Sequence, residues 1–171
     1  GRTRDANSAP GYGGALQCSQ DGHNASYSTY LIDCTITDCQ ASLGAVSLGG
    51  TLVRCKIVDT AFVAPPTVLS YATPVYESRL LNCLIARNRH VDRTTLQAKT
   101  GEAVFNGASR FVNCTLVDNT APSNTTADAC ILFGCLLYPD AELPATGKPD
   151  VNSCFTVPAS AFASYSKGDF R

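Results

Sequence analysis

Apolar residues recur along this chain in short alternating runs, and the runs repeat one another. Five superpose on a cysteine: Leu31-Ile-Asp-Cys34-Thr-Ile-Thr-Asp38, Leu52-Val-Arg-Cys55-Lys-Ile-Val-Asp59, Leu80-Leu-Asn-Cys83-Leu-Ile-Ala-Arg87, Phe111-Val-Asn-Cys114-Thr-Leu-Val-Asp118 and Leu132-Phe-Gly-Cys135-Leu-Leu-Tyr-Pro139. A degenerate sixth follows at Val151-Asn-Ser-Cys154-Phe-Thr-Val157. The steps between cysteines are 21, 28, 31, 21 and 19 residues, a mean period of 24. Internal repetition at such a period decides the fold before any local signal does. A helical hairpin would need a longer repeat and a 3.6-residue pattern. These runs alternate with period two, which marks strands.

Strict alternation turns three positions of each repeat to one side. They are Ile32, Val53, Leu81, Val112 and Phe133 two before the cysteine, the cysteine itself, and Ile36, Ile57, Ile85, Leu116 and Leu137 two after it. The residues between are mostly polar, so one face is expected to be core and the other solvent. A looser strand precedes the runs, as in Gly44-Ala-Val-Ser-Leu-Gly-Gly50 and Gly101-Glu-Ala-Val-Phe-Asn-Gly107, with Gly13-Gly-Ala-Leu16 and Pro74-Val-Tyr76 in the same role. Short strands repeated about every 24 residues with the same facing describe an all-β fold: a single-stranded right-handed parallel β-helix, a β-solenoid of about six coils. Its expected extent is residues 13–157, with 1–12 as an extension or partial cap and 158–171 as a closing tail.

Stacked coils explain the cysteines. A position that recurs in every coil stacks on itself, and a small buried hydrophobe suits that crowding. Cys34, Cys55, Cys83, Cys114 and Cys135 are therefore expected to form a column of free thiols, since in-register side chains point alike rather than at each other. Cys18, Cys39 and Cys130 fall outside it. Asn88 and Asn119 recur at one corner, where stacked amides bond to each other and to turn backbone.

Composition narrows the function. Charged residues are 16% and the net charge is −1, so no field recruits nucleic acid or an anionic membrane, and no apolar run in this chain is long enough to span a bilayer. Nine cysteines, an odd number without a close pair, and two isolated histidines suit neither a disulfide framework nor a metal site, and no cofactor motif occurs. The chain opens on Gly1 and has no methionine, the expected mark of a processed or excised piece.

The runs Leu80-Leu-Asn-Cys-Leu-Ile-Ala-Arg-Asn88 and Phe111-Val-Asn-Cys-Thr-Leu-Val-Asp-Asn119, each preceded by a glycine-bearing strand, resemble the right-handed parallel β-helix repeats of bacterial secreted and surface proteins. They look most like those of chlamydial polymorphic outer-membrane proteins, on the fold that pectate lyases share. The resemblance implies an extracellular or cell-surface location. It leaves function open among adhesins, polysaccharide lyases and glycoside hydrolases.

Chemistry on such a fold is expected on the outer face, beside inserts. The long steps place inserts at about residues 60–73 and 88–100. Arg87, Arg89, His90, Asp92 and Arg93 form the densest charge cluster, and Arg54 and Lys56 flank Cys55, so these seven are the candidate contacts for an acidic polysaccharide. No catalytic residue is assigned, because the outward aspartates Asp38, Asp59 and Asp118 share one corner rather than converge with a base. Asn24 and Asn124 are candidate glycosylation acceptors in loops. The expectation is a non-catalytic structural or adhesive module, with polysaccharide binding or degradation as the alternative. Its terminal coils are sheet edges that residues 1–12 and a proline-bearing tail cannot seal, so the chain is expected either to continue into further coils of a longer protein or to stack end to end with copies of itself.

Overall fold

The computed structural model describes residues 16–17, 29–41, 46–63, 75–91, 105–106, 109–119, 131–138, 150–164 and 167. These are all-β apart from one 3-10 turn at Ala159–Ala161, and every strand pairing among them is parallel. One six-stranded sheet holds Tyr30–Ile32, Thr51–Val53, Arg79–Leu81, Arg110–Val112, Ile131–Phe133 and Asp150–Asn152, side by side in chain order. A second holds Thr35–Thr37, Lys56–Val58, Leu84–Ala86, Thr115–Val117, Leu136–Tyr138 and Phe155–Thr156 in the same order. The looser strands make a four-stranded sheet of Leu16–Gln17, Ser47–Leu48, Val75–Tyr76 and Phe105–Asn106, while Gln40–Ala41, Ala61–Val63 and Arg89–Val91 make a three-stranded one.

The register is the sequence repeat made physical. Leu31, Leu52, Leu80, Phe111 and Leu132 pair in succession, as do Ile36, Ile57, Ile85, Leu116 and Leu137. Unequal step lengths leave both long sheets in register, because the additional residues fall elsewhere in each repeat. The expected inserts begin later than the spacing suggested: Ala61–Val63 and Arg89–Val91 are paired strands. Residues 64–74 and 92–104 lie outside the described residues.

One expectation is overturned. Simple alternation put Ile32, Val53, Leu81, Val112 and Phe133 in the core, yet Ile32 and Phe133 are about half exposed, at 50% and 51%. Their neighbours Leu52, Leu80, Phe111 and Leu132 are the buried ones, packed with Cys55, Cys83, Cys114, Cys135, Ile57, Ile85 and Leu116 in one core. The cause is a bend between the two strands of each repeat. Asp33, Arg54, Asn82, Asn113, Gly134 and Ser153, each just before the cysteine, all take a left-handed backbone, with φ between 51° and 62°. One left-handed residue turns the chain inward and breaks the period of two, so the positions three before the cysteine and at the cysteine both face in.

Such a conformation is costly for residues with a Cβ, and pairing between repeats holds it in place. The bend N–H groups donate to the next repeat: Asp33 to Val53 O at 3.0 Å, and Arg54, Asn82 and Asn113 to Leu81, Val112 and Phe133 O, each at 2.9 Å. Glycine at 134 has a further reason, since a Cβ there would lie 2.6 Å from Asn113 Oδ1. A second bend recurs at Asp38, Asp59, Arg87 and Asp118, with φ between 50° and 55°. Pro158 stands at that position in the last repeat. Its ring fixes φ at −73° and it has no N–H to donate, so the second bend cannot form. The chain instead enters the turn at Ala159–Ala161. Phe162 then packs with Ala86 and Val117, on the side of the second sheet opposite the core, and meets Tyr138 edge-on at 6.0 Å.

Candidate functional site

Polar and reactive side chains line up in columns, because register places like positions of successive repeats side by side. The thiols are the longest column. Cys55, Cys83, Cys114 and Cys135 are at most 1% exposed, Cys34 and Cys154 are partly exposed, and the seven described cysteines are all free thiols. Each of the four buried thiols of the column lies within hydrogen-bonding reach of two carbonyls, one in its own repeat and one in the repeat before. Cys55 reaches Val53 and Leu31 O at 3.5 and 3.4 Å, and Cys83 reaches Leu81 and Leu52 O at 3.4 and 3.5 Å. Cys114 and Cys135 repeat the pattern on Val112 and Leu80 O and on Phe133 and Phe111 O.

Neighbouring thiols also perturb one another. Burial pushes the Cys55 thiol up. Hydrogen bonds to Cys135 and Cys83, with burial added, push Cys114 well above the usual thiol range. The same contacts with Cys114 lower Cys83 and bring Cys135 down to about 7. A reactive thiol also needs access, which a fully buried Cys135 lacks.

Two hydrogen-bonded ladders flank the column. At the corner five residues past the cysteine, Thr60 donates its N–H and hydroxyl to Asn88 Oδ1 at 3.1 and 2.7 Å. Asn88 in turn donates its Nδ2 to Asn119 Oδ1 at 2.9 Å and to Ile57 O at 3.1 Å, and Asn119 reaches Ile85 O at 2.8 Å. All three are buried, so every amide group here must be satisfied, and the ladder does so along the stack. Cys39 occupies the same corner position in the first repeat and is buried. At the opposite corner, the buried hydroxyls of Ser47 and Ser78 lie 2.9 Å apart and both donate to Gly49 O, while the Ser78 N–H donates to Ser109 Oγ at 3.2 Å. The serines went unnoticed in the sequence, although Ser78 and Ser109 share one repeat position.

Two of the outer candidates are held in ion pairs between successive repeats. Arg54 sits in the first bend and grips Asp33 of the preceding repeat with two bonds of 2.7 and 2.6 Å. Arg87 sits in the second bend and grips Asp59 in the same way, at 2.8 and 2.7 Å. The hydrogen bond from the guanidinium lowers the pKa of each aspartate. The Arg54–Asp33 pair is exposed and the Arg87–Asp59 pair partly so, and solvent screening leaves each a minor contributor to stability. Arg87 also interrupts the expected row of like charges at Asp38, Asp59 and Asp118. Lys56 and Arg89 are exposed on paired strands, and His90 lies on the same strand as Arg89. Asp92, Arg93, Asn24 and Asn124 lie outside the described residues, as do Cys18 and Cys130.

Comparison of the chain with protein-family models, curated proteins and solved structures finds no match. Among the described residues, no group of three or more His, Cys, Asp and Glu could hold a metal ion, and no helix is long and apolar enough to cross a membrane. Asp33 and Asp59 stand at different bends, each engaged by an arginine. Neither is poised as an acid or base toward the other.

Proposed function

We propose that this chain is a right-handed single-stranded parallel β-helix of six coils, and that it serves as a rigid, non-catalytic structural or adhesive segment outside the cell or on its surface. One observation carries the reading. Six repeats keep one register through two long sheets, and their inward and corner positions are spent on side-chain columns that bond along the stack. Chains of this kind are held by neighbour-to-neighbour contacts, which give length and stiffness without an active site. The resemblance of the cysteine-centred repeats to those of bacterial surface proteins supports the location. Antibodies raised against the folded chain should label intact source cells, or material shed from them, without permeabilisation. Labelling confined to permeabilised cells would overturn the proposal.

A further inference from the structure

Among the described residues, the columns are fully covered in the middle and less covered at both ends. The four inner thiols are at most 1% exposed, while Cys34 in the first coil and Cys154 in the last are only partly covered. Leu52 and Leu80 are fully buried, whereas Leu31 at the same position of the first coil is not. The end members of these columns differ from the inner ones in lacking a described coil on one side.

The backbone shows the same asymmetry. From the second coil on, the N–H after each cysteine donates to the coil before: Lys56 to Cys34 O at 2.8 Å, Leu84 to Cys55 O at 3.0 Å and Thr115 to Cys83 O at 2.9 Å. Thr35 holds that position in the first coil. Bend N–H groups donate the other way, to the carbonyl two residues before the next cysteine, as Asn113 does to Phe133 O at 2.9 Å. Ser153, with φ of 54°, holds the bend position of the last coil, and Ile32 carries the matching carbonyl in the first. Thr35 and Ser153 therefore aim donors outward from opposite ends. The packed segment of Pro158 to Phe162 lies along the side of the second sheet rather than across the end.

Open sheet edges recruit strands, and the strand accepted best is one that repeats the register. The first coil of a second molecule does so, with Leu31, Cys34 and Ile36 at the inward positions. We infer that molecules of this chain associate head to tail, the first coil of one docking on the last coil of another. In this contact, which rests on the solenoid reading above, the Ser153 N–H donates to the Ile32 carbonyl across the junction, and the Thr35 N–H donates back to the Cys154 carbonyl. Because Pro158 deletes the second bend, the two long sheets carry the junction. The contact joins unlike surfaces and does not close on itself, so it propagates into filaments.

The experiment mixes ordinary and isotope-labelled chains of 171 residues and treats them with a short thiol cross-linker. Within one molecule Cys34 and Cys154 stand five coil steps apart, about 24 Å at ~4.8 Å per step. A linker far shorter than that joins them only between molecules. Mixed-label peptides linking Cys34 to Cys154 are expected, with a sedimenting mass that grows in whole-chain increments as concentration rises. Thr35→Pro, which removes an outward N–H, should abolish both while leaving the far-ultraviolet circular dichroism unchanged. A chain that stays monomeric without such peptides, although inter-coil contacts are present within it, overturns the association and leaves the solenoid standing. Mixed-label links between Cys34 and Cys34 also overturn it, because they mark a head-to-head contact. Absence of the inter-coil contacts removes both.

Discussion

Replacing Cys83 with aspartate should unfold the chain or nearly so, whereas Arg89→Asp should pass almost unnoticed. Cys83 is 1% exposed and lies between Cys55 and Cys114 in a core of leucine, isoleucine and phenylalanine. A carboxylate there has no cation among the described core residues to pair with, and its burial costs several kcal/mol. That is comparable with the whole stability of a domain, about 5–15 kcal/mol. At roughly 2–4 °C per kcal/mol for a chain of this size, the melting temperature should fall by about 10 °C or more. Arg89 is exposed, and a surface change of this kind costs roughly 0.5 kcal/mol or less. Thermal melts of the two variants decide the matter, and equal melting temperatures would show that the thiol column does not face inward.

The second large effect separates two phenylalanines that simple alternation ranks the wrong way round. Phe111 is fully buried and is the largest of the fully buried side chains among the described residues, so Phe111→Ala should cost about 3–5 kcal/mol. Phe133 is half exposed, and Phe133→Ala should cost roughly 1 kcal/mol or less. Denaturant titration of both variants gives the difference directly. The reverse order would mean that the strand before each cysteine keeps strict alternation and that the left-handed bend is absent.

That pair of residues also shows where the sequence was legible. Repeat spacing revealed the parallel pairing and its register, because a shared position in successive repeats becomes a shared position in successive strands. The burial of Ile57, Ile85 and Leu116 followed from alternation within a single strand. Alternation failed where it was carried across a bend. The signal lay in the residue before each cysteine: asparagine at 82 and 113 and glycine at 134 are the types that take a left-handed backbone most readily. Arginine at 54 does not carry that signal, because it is not a type that favours a left-handed backbone, and its guanidinium bonds Asp33. Asp33 and Arg54 share one repeat position, so their pairing was readable in principle. The seat of Phe162 was not, because no period links the tail to the second sheet it packs against. Asn88 and Asn119 were read correctly as a corner ladder for the same reason that the cysteines formed a column.

The most direct measurement is nuclear magnetic resonance of the folded chain with labelled isoleucine and leucine methyl groups. If coils stack in parallel, Ile57 should show strong methyl contacts to Ile85, and Ile85 to Leu116, because strands one coil apart are ~4.8 Å from each other. Ile57 and Leu116, two coils apart, should show little or none. The account predicts that chain of nearest-neighbour contacts between residues 28 and 31 positions apart in sequence. Methyl contacts that follow a hairpin order, or that join Ile57 to Leu116 as strongly as to Ile85, would contradict it.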